Sequence, residues 1–177
     1  FGIHQIDAHC DLRNAYEDFQ YSHASIMYNA LKSPQISKLV QVGIRDYCEQ
    51  EADMIRHSNG RIVTFFDEVL KNESYEGKTW KQQADEIISH LPQKVYISFD
   101  IDGLQPGLCP NTGTPVAGGL EFSQAVYLLR KLSESGRTII GFDLNEVAPG
   151  EDEWDANVGA RLLYKLCVFA GKTNKIL

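Results

Sequence analysis

Apolar residues along this chain fall into short continuous runs separated by stretches with helical spacing. Ile3 to Asp7, Leu39 to Ile44, Arg61 to Phe66, Val95 to Phe99 and Thr138 to Phe142 are rich in β-branched and aromatic residues, which predicts five strands, several of them apolar on both faces. Between them a helix is expected from Ala24 to Leu31, ending before Ser33-Pro34, and another from Glu49 to His57, stopped by Asn59-Gly60. Trp80, Ala84, Ile87, Ile88 and Leu91 share one helical face closed by Pro92; Ala125, Val126, Leu129 and Leu132 share another. Val158, Leu162, Leu163, Leu166 and Phe169 mark a last helix, with Asp155 as its expected N-terminal cap. Asn14 to Gln20 and Lys71 to Lys78 are polar and read as loops. Gly103 to Leu120 carries five glycines and three prolines without apolar periodicity, a long loop of the kind that carries function. Strands alternating with helices predict an α/β fold: a three-layer α/β/α arrangement with a mainly parallel sheet, one domain over residues 1–177.

Composition narrows the class without changing the fold. The 177 residues are 43% hydrophobic and 23% charged, ordinary for a globular chain. A net charge of −7 and the lack of a Lys/Arg-rich run argue against nucleic acid as a partner. No apolar run is long enough to cross a membrane. Cys10, Cys48, Cys109 and Cys167 are widely spaced, which fits reduced thiols in a cytoplasmic protein better than disulfides or a zinc knuckle. The chain opens on Phe1-Gly2 rather than Met, so it is read as lacking an N-terminal part.

In an open parallel sheet, ligands bind beyond the carboxyl ends of the strands. Asp7, His9 and Asp11 follow the first predicted strand, and an extended backbone would turn all three to one side. Asp100 and Asp102 follow the fourth; Asp143 and Glu146 follow the fifth. An apolar core does not hold several carboxylates and an imidazole together without a cation between them. The donors are mostly hard oxygens, which suits Mn²⁺ or Mg²⁺. A metal pair about 3.5–4 Å apart can activate a shared water, so the expected chemistry is metal-assisted hydrolysis.

Asp7-Ala8-His9-Cys10-Asp11 together with Ser98-Phe99-Asp100-Ile101-Asp102 resembles the paired metal motifs of the ureohydrolases: arginase, agmatinase and formimidoylglutamase. Thr112-Gly113-Thr114-Pro115-Val116 with Gly118-Gly119, and Asp143-Leu144-Asn145-Glu146-Val147-Ala148-Pro149, resemble later segments of that family in the same order. The resemblance implies an arginase-like fold of which this chain is the C-terminal portion. It implies two Mn²⁺ ions held by Asp7, His9, Asp11, Asp100 and Asp102, with Asp7 and Asp100 bridging and a metal-bridging hydroxide attacking the guanidinium carbon. Glu146 would bind the guanidinium and His23 would help pass a proton to the leaving amine. The family also uses a further histidine upstream of the Asp-Ala-His motif, which no histidine here matches. A homo-oligomer, trimer or hexamer, and a small guanidino substrate are implied as partners, within arginine and polyamine metabolism.

Arginases place an aspartate where Cys48 follows Gly43-Ile44-Arg45-Asp46-Tyr47, whereas Asp11 to Glu17 with Tyr21-Ser22-His23-Ala24 looks more like agmatinases. The resemblance therefore favours agmatine, with arginine or another guanidino-acid or formimino compound as the alternative. A metallophosphoesterase also starts with Asp-x-His, but its Gly-Asp and Gly-Asn-His-Asp motifs are absent; an inactive homologue is the remaining alternative. Outside these motifs, His4 is expected to pack in the core, and Cys10 to face away from its ligand-type neighbours. Glu51 matches a substrate-side glutamate of arginases, and Asp143 is expected either to support the metal shell or to close its strand.

Overall fold

A computed structural model describes residues 1–176. Five strands, β1 (Gly2–Ile6), β2 (Lys38–Ile44), β3 (Ile62–Phe66), β4 (Lys94–Asp100) and β5 (Thr138–Asn145), form one sheet in the order β3-β2-β1-β4-β5. Every pairing is parallel. Parallel neighbours need crossover connections, and the helices that make them cover both faces. Leu70, Ala84, Ile87, Leu128, Leu129, Leu162 and Leu166 pack with Ile6, Val42, Ile97 and Phe99 on one face. Met27, Leu31, Met54 and Ile55 pack with Ile3, Leu39, Ile44 and Ile62 on the other. The three layers expected from the hydrophobic pattern are therefore present.

The helices are α1 (Ile26–Ala30), α2 (Glu49–Arg56), α3 (Asp67–Tyr75), α4 (Trp80–Ser89), α5 (Phe122–Glu134) and α6 (Trp154–Thr173). Three differ from the sequence reading, each for a local reason. Most of Lys71–Lys78 is helical, not loop. Gly77, φ +100°, is the left-handed residue just past α3, where Lys78 N–H donates to Glu73 O (2.9 Å) and Gly77 N–H to Ser74 O (3.1 Å), so the glycine marks a helix end. The expected Ala24–Leu31 helix is split. A 3₁₀ turn over His23–Ser25, opened by Ala24 N–H donating to Ser22 Oγ, precedes α1, whose Met27 and Tyr28 N–H groups both donate to Asp11 O. Asp155 does not cap α6. It lies inside the helix, fully buried, and accepts from Asn111 N–H (3.0 Å) and Asn111 Nδ2 (2.9 Å), tying the helix to the glycine-rich loop.

His4 is buried in β1 as expected, its Nδ1 3.3 Å from Val40 O, and burial pushes its pKa down to about 4. The ring is therefore neutral at physiological pH. The four cysteines are free thiols.

Candidate metal centre

The segments leaving β1, β2 and β4 stay attached to one another, and that attachment builds the site. Asp7 N–H donates to Val42 O (3.1 Å), and Ala8 O accepts from Arg45 N–H (2.8 Å) and Asp46 N–H (3.0 Å). Asp100 ends β4. Its Oδ1 accepts from Asp102 N–H (2.9 Å), which curls the chain into a 3₁₀ turn over Ile101–Gly103. That turn brings Asp102 beside β1, where Oδ1 accepts from Ala8 N–H (3.0 Å). The approach requires Gly103: a Cβ there would stand 2.8 Å from Asp7 N.

His9 fills the space between the acids. Its Nδ1 lies 3.1 Å from Asp102 Oδ2 and 3.4 Å from Asp7 Oδ1, and its Nε2 lies 3.8 Å from Asp46 Oδ2. One donor atom from each of Asp7, His9 and Asp102 falls within 4.8 Å of the others. Asp100 and Asp11 line the same cavity, of about 220 Å³, as do His23 and Glu146. The five expected metal ligands, His23 and Glu146 thus face one space. Asp11 arrives by a different route from the one expected. The strand ends at Ile6, and Asp11 has φ +55°, so strand alternation does not extend to it; a left-handed turn carries it there, a conformation Asp tolerates better than most residues.

Crowding and burial set the protonation of this cluster. Burial and the adjacent Asp102 charge raise Asp7 to about 6 against the His9 and Gln5 hydrogen bonds that favour its anion. Burial and the charges of Asp7 and Asp102 push Asp100 up to about 10. Asp11 is raised well above the usual carboxylate range, first by burial and then by Asp7. For His9 burial acts downward, but its bonds to Asp102 and Asp7 prevail and lift it to about 10. Burial likewise works against Asp102, yet the His9 ring and the Ala8 N–H hold it below the ordinary value. Imidazolium and neutral acids therefore balance the charge here, a role a divalent cation would take over with fuller effect. The hard, mostly carboxylate donor set fits Mn²⁺ or Mg²⁺.

The walls carry further groups. Glu51, nearly fully buried, accepts from Leu12 N–H (2.9 Å) and Cys48 N–H (2.9 Å) and lies 3.7 Å from Arg13 Nε. Both its oxygens are engaged by backbone, so its role in this geometry is to tie the Asp11 segment to the start of α2. Arg13 stacks over the Tyr16 ring (5.4 Å), and His23 meets that ring edge-on (5.7 Å between centroids). Glu146 has φ +59°, costly for a residue of this size and found mainly where the position matters to a site. Asp143 does not line the cavity; it accepts from Ser98 Oγ (3.0 Å) and Asn145 Nδ2 (2.6 Å). Arg13, Tyr16 and Asp46 were not singled out from the sequence; only their closeness to Asp11 and to the second strand's end pointed that way.

Arg45 holds the glycine-rich loop over the site. Its guanidinium donates to Asp102 O (2.8 Å), Leu104 O (3.2 Å), Val116 O (2.7 Å) and Gly43 O (3.1 Å). Arg45→Met would strip these carbonyls of their donor. The expected result is a loss of about 3 kcal/mol in chemical denaturation, with protease cleavage moving into residues 103–120; unchanged cleavage there would mean the loop holds itself.

Residues 1–168 match the arginase family. The chain is 34% identical over 176 residues to N(1)-aminopropylagmatine ureohydrolase of Synechocystis sp., covering 99% of this chain and 54% of that protein. It is 35% identical over 170 residues to agmatinase of Neisseria gonorrhoeae, covering 93% and 50%. Its fold superposes on a crystal structure of a hypothetical agmatinase from Burkholderia thailandensis with a TM-score of 0.77 at 30% identity, covering 100% of this chain and 53% of that one. The chain spans about half the length of the curated relatives it matches.

Proposed function

The chain belongs to the arginase family, and on that premise we propose that this site serves manganese-dependent hydrolysis of a guanidino compound, agmatine foremost, releasing urea. The observation that carries the reading is the convergence of Asp7, His9 and Asp102 donor atoms within 4.8 Å, with Asp11 and Asp100 in the same cavity. These five residues would hold the metal. Manganese, when bound, supplies Lewis acidity that activates water at neutral pH. Water adds to the guanidinium carbon, the C–N bond to the substrate chain breaks, and the amine leaves with a proton.

The protein's own groups orient that reaction. Glu146 offers a carboxylate to the planar N–H fork of the guanidinium. His23, edge-on to Tyr16, would carry a proton toward the leaving nitrogen. Asp46, Glu51 and Glu146 add to the acidity of a cavity whose lining includes one arginine, Arg13, already beside Glu51. Such a field suits a substrate with a second positive charge. The names of the Synechocystis and Neisseria relatives are those of enzymes acting on agmatine or its aminopropyl derivative. A second reading, a guanidino acid whose carboxylate meets Arg13, is favoured by the half-exposed Arg13 side chain at 37%.

The test is urea release with Mn²⁺ from agmatine, arginine and 4-guanidinobutyrate, by the 177-residue chain and by a form carrying upstream sequence to the length of its relatives. Agmatine should lead the others by at least about tenfold in kcat/KM, because unpaired charge in a buried site is strongly rejected. A lead for arginine would overturn the agmatine assignment, and a lead for guanidinobutyrate would move the tail's recognition to Arg13.

A further inference from the structure

A polar residue interrupts the apolar run of each strand on one shared face, and the register sets these five side by side. Thr64 lies opposite Gln41, Gln41 opposite Gln5, Gln5 opposite Ser98, and Ser98 opposite Asp143. The row two residues earlier, on the same face, is Ile62, Leu39, Ile3, Tyr96 and Gly141. Two residues later on that face come Asp7 and Asp100. The polar row is therefore the layer between the hydrophobic cluster and the metal centre.

Its β3-β2-β1 half is a hydrogen-bond chain with one direction. Thr64 Oγ donates to Gln41 Oε1 (2.8 Å), Gln41 Nε2 to Gln5 Oε1 (2.7 Å), and Gln5 Nε2 to Asp7 Oδ2 (2.8 Å). The second amide hydrogens reach the loop backbone: Gln41 Nε2 donates to Cys10 O (2.8 Å) and Gln5 Nε2 to His9 O (3.2 Å). Each carbonyl is taken by a donor on the side away from the site, so each amino group must face it. Reversal would set a carbonyl against the Asp7 carboxylate. Gln5 and Gln41 are fully buried, where amides are costly unless every group is paired; the row two residues earlier fills the same face with Ile62, Leu39, Ile3 and Tyr96.

We propose that Thr64, Gln41 and Gln5 are positioning residues that fix the Asp7 carboxylate and the His9 and Cys10 peptides for metal binding, a proposal that rests on the metal-site reading above. Asp7 Oδ1 accepts from His9 N–H (2.6 Å), so a rotated Asp7 carboxylate also frees that amide.

Thr64→Val removes only the hydroxyl, Thr64→Ser keeps it, and Gln41→Met removes both amide bonds. Each is made in both forms used for the urea assay. Two quantities are read: the Mn²⁺ dissociation constant by calorimetry, and hydrogen exchange at the His9 amide of metal-free protein. Thr64→Val should weaken Mn²⁺ binding about tenfold and Gln41→Met by up to about 100-fold, the range for partners that orient metal ligands, with Thr64→Ser close to the parent. His9 exchange should quicken in the first two while exchange at Ile6 and Phe99 stays constant. Parent-like Mn²⁺ affinity and parent-like His9 exchange in Thr64→Val would reduce the row to packing and overturn the proposal. If the parent protein binds no Mn²⁺, the functional reading fails by itself, and His9 exchange still decides whether the row holds the loop. Should Gln41→Met not fold, Thr64→Val carries the test.

Discussion

Replacing Asp102 with asparagine is expected to weaken Mn²⁺ binding by at least about 100-fold, since even groups that only orient metal ligands account for 10–100-fold. The substitution is chosen because the fold should survive it. Asparagine keeps a carbonyl oxygen for the Ala8 N–H, which now binds Asp102 Oδ1 at 3.0 Å. What it loses is the anionic oxygen 3.1 Å from His9 Nδ1. An amide nitrogen in that place would oppose a protonated His9 ring and offer nothing to a cation. His9 should then titrate at lower pH, because its hydrogen bond to Asp102 is the main influence lifting it. Calorimetric titration with Mn²⁺ reads the affinity, and the His9 ring resonances followed against pH read the second effect. An Asp102→Asn protein with parent-like affinity would sink the metal assignment for this cluster. Urea release from agmatine, where the parent shows it, should fall with metal occupancy and recover in part at high Mn²⁺.

Five strands were legible as short runs rich in β-branched and aromatic residues, several of them apolar on both faces. Where the reading failed, tertiary contacts had overridden local signals. Gly77 and the polar residues before it resemble a loop, yet α3 needs to bury little beyond Leu70 and Asp67. Asp155 has the chemistry of a cap, but a distant loop residue, Asn111, claims both its oxygens. The site was legible at the level of residue type and strand end, because Asp7, Asp100 and Glu146 each lie at or just past a strand's carboxyl end. The route by which Asp11 reaches the cavity was not, since a left-handed residue breaks the alternation that sequence spacing assumes. Nor was the polar row: Gln5, Gln41, Thr64, Ser98 and Asp143 are separate interruptions in sequence and become one feature only through register.

Metal-free protein should lose stability as pH rises from 5 to 9, and Mn²⁺ should reverse the trend. The sign follows from which state holds more protons. Asp100, near 10 when folded, and Asp7, near 6, both lie above the unfolded value of 3.8, and Asp11 is raised as well. A raised carboxylate keeps its proton in the fold after the unfolded chain has lost it. Stability therefore falls from about pH 4 upward, until the folded group also ionises. His9, near 10 when folded against 6.5, contributes stability that is complete below 6.5 and gone by 10, in the same direction. Asp102 acts oppositely, but its depressed pKa matters only at or below about pH 4. The metal-free protein should accordingly be most stable near pH 4 and lose at least about 2 kcal/mol by pH 8. Mn²⁺ needs these same groups deprotonated, so saturating metal releases protons and its apparent affinity climbs with pH. Thermal unfolding in EDTA and in excess Mn²⁺ across pH 5–9 should give curves of opposite slope. Calorimetry in two buffers of different ionisation enthalpy should count more than one proton released per site at pH 7. Parallel curves, or no proton release, would mean the cluster is already ionised without metal and that its buried carboxylates are stabilised by something other than shared protons.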